Sequence, residues 1–188
     1  MRIISGEFKG RKILDPKDKT TRPLKDLTKE SIFNIILHSN KFDIDLKNSI
    51  VLDLFSGVGS FGIECLSRGS KKVIFVENYK NVLSVLRQNL INLKIKKNKF
   101  LIFENEILNG LDLGELKIKF DIVFLDPPYR EKNMLKILDN ISEQNILHKN
   151  SLIIFHRHKK MKDQFSKKFR MIENKNYGVS KIIFGNLL

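Results

Sequence analysis

The chain has no alanine, a single cysteine (Cys65) and four prolines among its 188 residues. One thiol cannot form an internal disulfide, which excludes a disulfide-stapled scaffold. Long apolar runs are also missing. Ile122 to Leu125 and Ser151 to Phe155 are strand-length, far short of the roughly 20 residues that cross a bilayer. No apolar stretch of signal-peptide type follows the opening Met1-Arg2-Ile3-Ile4-Ser5-Gly6-Glu7, so a soluble, cytoplasmic protein with no membrane partner is expected. The missing alanine, set beside 27 lysines and abundant Ile, Asn and Phe, is the mark of codon bias in an A/T-rich genome.

What the sequence has in excess is positive charge. Lys and Arg number 35 against 21 Asp and Glu, a net charge of +14 and the profile of a polyanion binder. Codon bias raises Lys by itself, so charge alone does not separate a nucleic-acid partner from a solvated basic surface. Hydrophobic residues at 41% and charged residues at 30% are ordinary globular usage and exclude a disordered or fibrous chain. A chain of this length has room for one domain with a full core and a short appendage.

Residues 1 to 26 are basic and broken by Gly6, Gly10, Pro16 and Pro23, so they read as an N-terminal arm ahead of a domain over 27 to 188. Asp26 is a candidate N-cap for a helix over about 27 to 39, in which Leu27, Ile32, Ile35 and Ile36 recur at near-helical spacing. Beyond residue 49, short apolar strands at 50–52, 73–76, 101–103 and 121–125 alternate with helical stretches at about 60–68, 79–94 and 132–143. Buried strands separated by helices predict a parallel, doubly wound α/β sheet. The last third adds a strand at 151–155, placed sixth in order, a Lys-rich helix at about 159–168 and an antiparallel final strand near 180–184. The fold these elements predict is one doubly wound α/β domain behind the N-terminal arm.

The first strand runs into Asp53-Leu54-Phe55-Ser56-Gly57-Val58-Gly59-Ser60-Phe61-Gly62. Glycines at 57, 59 and 62 permit a tight turn after a strand and a close backbone approach to a ligand at the next helix. Glu77 follows Gly57 by twenty residues, where a carboxylate can accept from both hydroxyls of a ribose. Dinucleotide sites aim a helix N-terminus at a pyrophosphate, but Asp53 would repel phosphate and suit a cation. S-adenosylmethionine offers a ribose, a sulfonium and an ammonium group, and no phosphate. Asp53, Gly57, Gly59 and Glu77 together resemble the motifs of class I S-adenosylmethionine-dependent methyltransferases.

The fourth strand ends in Asp126-Pro127-Pro128-Tyr129. Two consecutive prolines donate no ladder hydrogen bonds, so they force a rigid turn at the carboxyl edge of the sheet, where ligands bind in open α/β folds. Hydrogen bonds from an exocyclic amine to the Asp126 carboxylate and the Pro127 carbonyl would aim that nitrogen at a methyl donor, with Tyr129 stacked on the base. This segment resembles the Asp/Asn-Pro-Pro-Tyr/Phe signature of methyltransferases that act on base amino groups. Such a base must leave its stack.

Met1 to Gly6, Lys9-Gly10-Arg11-Lys12, Thr21 to Asp26, Glu30 to Asn34 and the helix Gly62-Ile63-Glu64-Cys65-Leu66-Ser67-Arg68-Gly69 resemble the RsmD family of bacterial 16S ribosomal RNA guanine-N2 methyltransferases along essentially the whole chain. The resemblance implies a small monomeric enzyme that methylates a guanosine amine of 16S ribosomal RNA in a 30S subunit or assembly intermediate. It implies a seven-stranded, mostly parallel, Rossmann-like class I methyltransferase sheet with an antiparallel last strand, Asp53, Gly57 and Gly59 at the methionine end of the cofactor, Glu77 at the ribose, Asn105 near the adenine, Phe55 and Asn78 as further cofactor-binding residues, and Asp126, Pro127, Pro128 and Tyr129 at the target amine. Arg2, Lys9, Arg11, Lys12 and Arg22 would follow the RNA backbone. The chain departs from the family pattern at Leu24-Lys25, at Lys29, at Glu106, and at Phe155-His156-Arg157-His158, where a more acidic sequence is usual.

His156 and His158 have no third ligand in view, so no metal is expected, and Cys65 reads as a small core residue. The competing readings are an adenine-N6 methyltransferase on DNA or RNA and a non-catalytic RNA-binding assembly factor. A nicotinamide dehydrogenase fits least, because of Asp53.

Overall fold

A computed structural model describes the whole chain except residues 17, 19–23, 106–110, 129, 130 and 132. Its strands are β1 (Ile50–Leu54), β2 (Lys72–Val76), β3 (Phe100–Phe103), β4 (Phe120–Leu125), β5 (Leu147–His158), β6 (Phe169–Tyr177) and β7 (Ser180–Leu187). They form one seven-stranded sheet in the order β3-β2-β1-β4-β5-β7-β6. The first five strands are mutually parallel, and β7 runs antiparallel between β5 and β6. This is the doubly wound arrangement expected from the sequence, with the last strand reversed.

The continuous apolar runs are explained by burial on both faces. Alternate residues Val51, Val73, Phe75, Ile122, Phe124 and Ile154 enter one core, which they share with helices α1 (Asp26–His38), α2 (Ser60–Ser67) and α3 (Lys80–Asn92). Their neighbours Leu52, Ile74, Val123, Leu125, Ile153 and Phe155 enter a second core with α4 (Met134–Glu143). Phe61 of α2 stacks on Phe124 of β4 at 4.0 Å and on Phe33 of α1 at 5.2 Å. All eight residues of α2 are buried, because the helix has the sheet beneath it and the N-terminal segment above it.

That segment is folded onto the sheet's helices. Ile3 N–H donates to Arg11 O at 3.0 Å, Gly10 N–H to Ile3 O at 2.9 Å and Ile13 N–H to Met1 O at 3.1 Å. Ile3 and Ile13 are buried in the first core. The backbone of Ile4 and Ser5 donates to the Glu64 carboxylate at 2.8 and 3.0 Å, and Glu7 N–H donates to Ser67 O at 2.7 Å.

Three sequence expectations are corrected. Asp26 is the first residue of α1 and not its cap: the cap position is Lys25, which makes no capping side-chain bond. The strand at 151–155 is part of β5, fifth in order, and the sixth strand is β6, which pairs with β7 on one side only. The Lys-rich stretch at 159–168 is not a helix. Asp163 is drawn to Arg157 at 2.8 Å and Phe165 packs on Phe155 at 5.2 Å, and two inward side chains two positions apart cannot share one face of a helix.

Candidate functional site

Four neighbouring strands deliver four titratable side chains to one edge of the sheet. Asp53 is the penultimate residue of β1, Glu77 follows β2, Asp126 follows β4, and His156 lies near the end of β5. The chain reverses its winding direction between β1 and β4, and open α/β folds bind ligands at such a switch point. Asp126 N–H donates to Leu54 O at 3.3 Å, so the β4 turn is tied to the end of β1.

Asp53 is 1% exposed and its Oδ2 accepts the Gly62 N–H at 2.9 Å. Burial pushes its carboxyl well above the ordinary range. The Gly62 bond offsets part of this effect, and the charges of Asp126 and Glu77 add to it. A buried carboxylate beside two others suits a cationic ligand and opposes a phosphate.

The loop after β1 turns sharply: Phe55 (φ 59), Gly57 (φ 55) and Gly59 (φ 85) are all left-handed. Phe55 has a side chain in a region that L-residues avoid, and such strain concentrates at ligand sites. Gly62 is required for packing, since a Cβ there would lie 2.4 Å from Phe75 and 2.7 Å from Val73. Glu77 braces the loop. Its Oε2 accepts from Gly57 N–H at 2.8 Å, and its Oε1 accepts from the Asn78 and Tyr79 N–H groups at 2.9 Å each. A carboxylate has about four acceptor positions, so Oε2 retains room for one more donor. Asn105 is exposed, two residues beyond β3 at the same edge.

The Asp126-Pro127-Pro128 turn is held from β5 on both sides. His156 Nδ1 lies 2.8 Å from Asp126 Oδ1. The buried Arg157 guanidinium donates to Glu131 O at 2.7 Å and to Pro128 O at 3.4 Å, while pairing with Asp163. Neither His156 nor Arg157 was among the sequence-derived site residues. Their signal was the departure of the 155–158 segment from the acidic pattern. Tyr129 lies outside the described residues, as does Arg22.

The other basic arm positions differ from one another. Lys9 and Lys12 are exposed. Arg2 is exposed beside Asp26 at 3.7 Å. Arg11 donates to Asn92 O at 2.6 Å, at the carboxyl end of α3. Among the described residues, no cluster of three or more His, Cys, Asp or Glu is placed to hold a metal ion, and no helix is long and apolar enough to cross a membrane.

A family profile, Conserved hypothetical protein 95, matches residues 1–186. The chain belongs to that family, which is the RsmD family. The proposed rRNA methyltransferase YlbH of Bacillus subtilis is 36% identical over 155 residues, covering 82% of this chain and 80% of the relative. Ribosomal RNA small subunit methyltransferase D of Haemophilus influenzae is 35% identical over 153 residues, covering 81% and 76%. A solved structure of a proposed methylase from Haemophilus influenzae superposes with a TM-score of 0.74 at 30% identity, over 100% of this chain and 98% of that one. Another, the proposed methyltransferase yhhF from Escherichia coli, gives 0.79 at 23% identity, over 100% and 97%, a likeness of fold. The sheet of this RsmD-family chain is therefore the Rossmann-like class I methyltransferase fold.

Proposed function

We propose that the chain transfers a methyl group from S-adenosylmethionine to the exocyclic N2 amine of a guanosine in 16S ribosomal RNA, within a 30S subunit or assembly intermediate. One observation carries the reading: the acidic β1 end and the Asp126-Pro127-Pro128 turn sit side by side at the switch point, joined by the Asp126 to Leu54 bond. The names of the relatives support ribosomal RNA as the substrate.

When bound, S-adenosylmethionine supplies a methyl group on a sulfonium. Asp53, buried and surrounded by like charge, favours the cationic methionine end, and the free acceptor position of Glu77 Oε2 takes a ribose hydroxyl. The left-handed turns at Phe55, Gly57 and Gly59 bend the loop sharply at the end of β1 so that its backbone borders the methionine end, and Asn78 and Asn105 border the ribose and adenine. Asp126 and the Pro127 carbonyl receive the two amine hydrogens, so the nitrogen lone pair faces the methyl carbon. As the new N–C bond forms, the methyl–sulfur bond would break with its electron pair left on sulfur as a neutral thioether, and the surplus proton of the nitrogen passes to the Asp126 carboxylate and then to water. Tyr129 stacks on the base.

The test incubates the protein with labelled S-adenosylmethionine and 30S subunits lacking the modification, followed by digestion and nucleoside analysis. The expected product is labelled N2-methylguanosine. Labelled N6-methyladenosine would transfer the reading to adenine, and failure to bind S-adenosylmethionine in calorimetry would support a non-catalytic RNA binder. Asp126→Ala is expected to abolish turnover with cofactor affinity nearly intact; equal loss of both would make Asp126 structural.

A further inference from the structure

We propose that His156 is the positioning residue for Asp126, fixing its carboxylate so that one oxygen is committed to the protein and the other is kept for the target amine. This rests on the reading of Asp126 as the acceptor of that amine. His156 Nδ1 stands 2.8 Å from Asp126 Oδ1, and its Nε2 stands 2.9 Å from Ser180 Oγ. A carboxylate only accepts hydrogen bonds, so Nδ1 carries a proton toward Asp126. In the neutral ring, Nε2 then accepts from the Ser180 hydroxyl. The serine thus sets the tautomer and the imidazole sets the carboxylate.

The antiparallel β7 makes this chain of contacts possible. His156 pairs with Ile182 and His158 pairs with Ser180, which makes Ser180 the diagonal neighbour of His156 on the same face of the sheet. On the opposite face, Arg157 holds the Pro128 and Glu131 carbonyls. The backbone of the turn is therefore fixed by one residue and the carboxylate torsion by the next.

An acid–imidazole–hydroxyl chain also resembles the triad that activates a serine nucleophile, but the direction of exposure argues otherwise. The Asp126 side chain is 18% exposed, that of His156 3%, and Ser180 6%. The carboxylate is the open end, so the chain serves Asp126 and not Ser180.

Two substitutions separate positioning from packing. In His156→Asn, the amide nitrogen can occupy the place of Nδ1 and still donate to Asp126. In His156→Gln, the amide nitrogen reaches toward Ser180 and the donor to Asp126 is lost. With 30S subunits as substrate, His156→Gln is expected to lower kcat about 10- to 100-fold, with KM and S-adenosylmethionine affinity unchanged, and His156→Asn is expected to recover most of kcat. Equal kcat in both variants, or a loss in both that follows Tm, would overturn the proposal. A readout independent of turnover is the downfield imidazole N–H resonance of the free protein: its presence in wild type and loss in Asp126→Ala supports the arrangement, and its absence in wild type overturns it. Wild-type protein that transfers no label to 30S subunits would defeat the functional reading instead, leaving the resonance to judge the His156–Asp126 pair.

Discussion

At Asp53 the demands of folding and of ligand binding conflict. Its carboxyl is pushed up mainly by burial, so the native state holds a proton that the unfolded chain has already released. Well below the ordinary carboxyl range both states are protonated and Asp53 costs nothing. As pH rises past that range the unfolded chain ionises first, and native stability falls until the raised pKa is passed. Asp53→Asn is therefore expected to raise urea stability over wild type at neutral pH and not in acid. A cationic ligand favours the ionised form, so wild-type affinity for S-adenosylmethionine should climb with pH, while that of Asp53→Asn stays weak and flat; calorimetry across pH checks both. Gly62 is constrained by space: with Phe75 2.4 Å, Val73 2.7 Å and the Asp53 carboxylate 2.9 Å from a new Cβ, Gly62→Ala should cost about 1–3 kcal/mol in urea denaturation. The glycine spacing was legible in the sequence. That its third member makes room for Phe75 was not, because the contact depends on how closely α2 lies on β2.

At the scale of elements, α2 is the joint between the N-terminal segment and the sheet. Glu64 is fully buried. It accepts from Ile4, Ser5 and Arg68 and lies 3.6 Å from the buried Lys29 ammonium. Desolvation lowers the Lys29 pKa against the pull of Glu64 and Asp26, and removing Glu64 would leave that ammonium buried with a weaker partner. Glu64→Ala is expected to destabilise the fold by about 3–5 kcal/mol and to open the N-terminal segment to limited proteolysis. The helices and central strands were legible because buried apolar residues recur at fixed periods. β6 was not, since an edge strand needs no buried run: Arg170, Lys175 and Asn176 are exposed. The expected helix at 159–168 failed for a related reason. Its lysines suggested a solvated helical face, while the ion pairs of Asp163 with Arg157 and Lys181, set by distant strands, draw that stretch inward.

For the whole molecule, the net charge of +14 surrounds an edge where Asp53, Glu77 and Asp126 gather. A basic exterior with an acidic cleft suits a polyanion held outside while a cationic cofactor lies within. The arm lysines and arginines are not equivalent here. Lys9 and Lys12 are exposed, whereas Arg11 is engaged at the end of α3. Replacing Lys9 and Lys12 with Ala should reduce the slope of log affinity for RNA against log salt by about one to two, measured by filter binding over a salt series. Arg11→Ala should chiefly lower Tm, because its loss frees the α3 carboxyl end from a helix-capping cation.

The sequence by itself determined the order of strands and helices as far as β5, the glycine turn, the carboxylates at 53, 77 and 126 and the proline-stiffened turn. These are local features: periodicity, backbone torsion and residue chemistry act over a few positions, and the right-handed crossover rule does the rest. Only the tertiary structure decided which side chains support them. His156 meets Asp126 across 30 positions and Ser180 across 24, and Glu64 meets Ile4 across 60. Such contacts are set by strand register and by the reversal of β7, and no local pattern encodes them. They determine that the Asp126 carboxylate is held in place and that the basic N-terminal segment is packed against the fold.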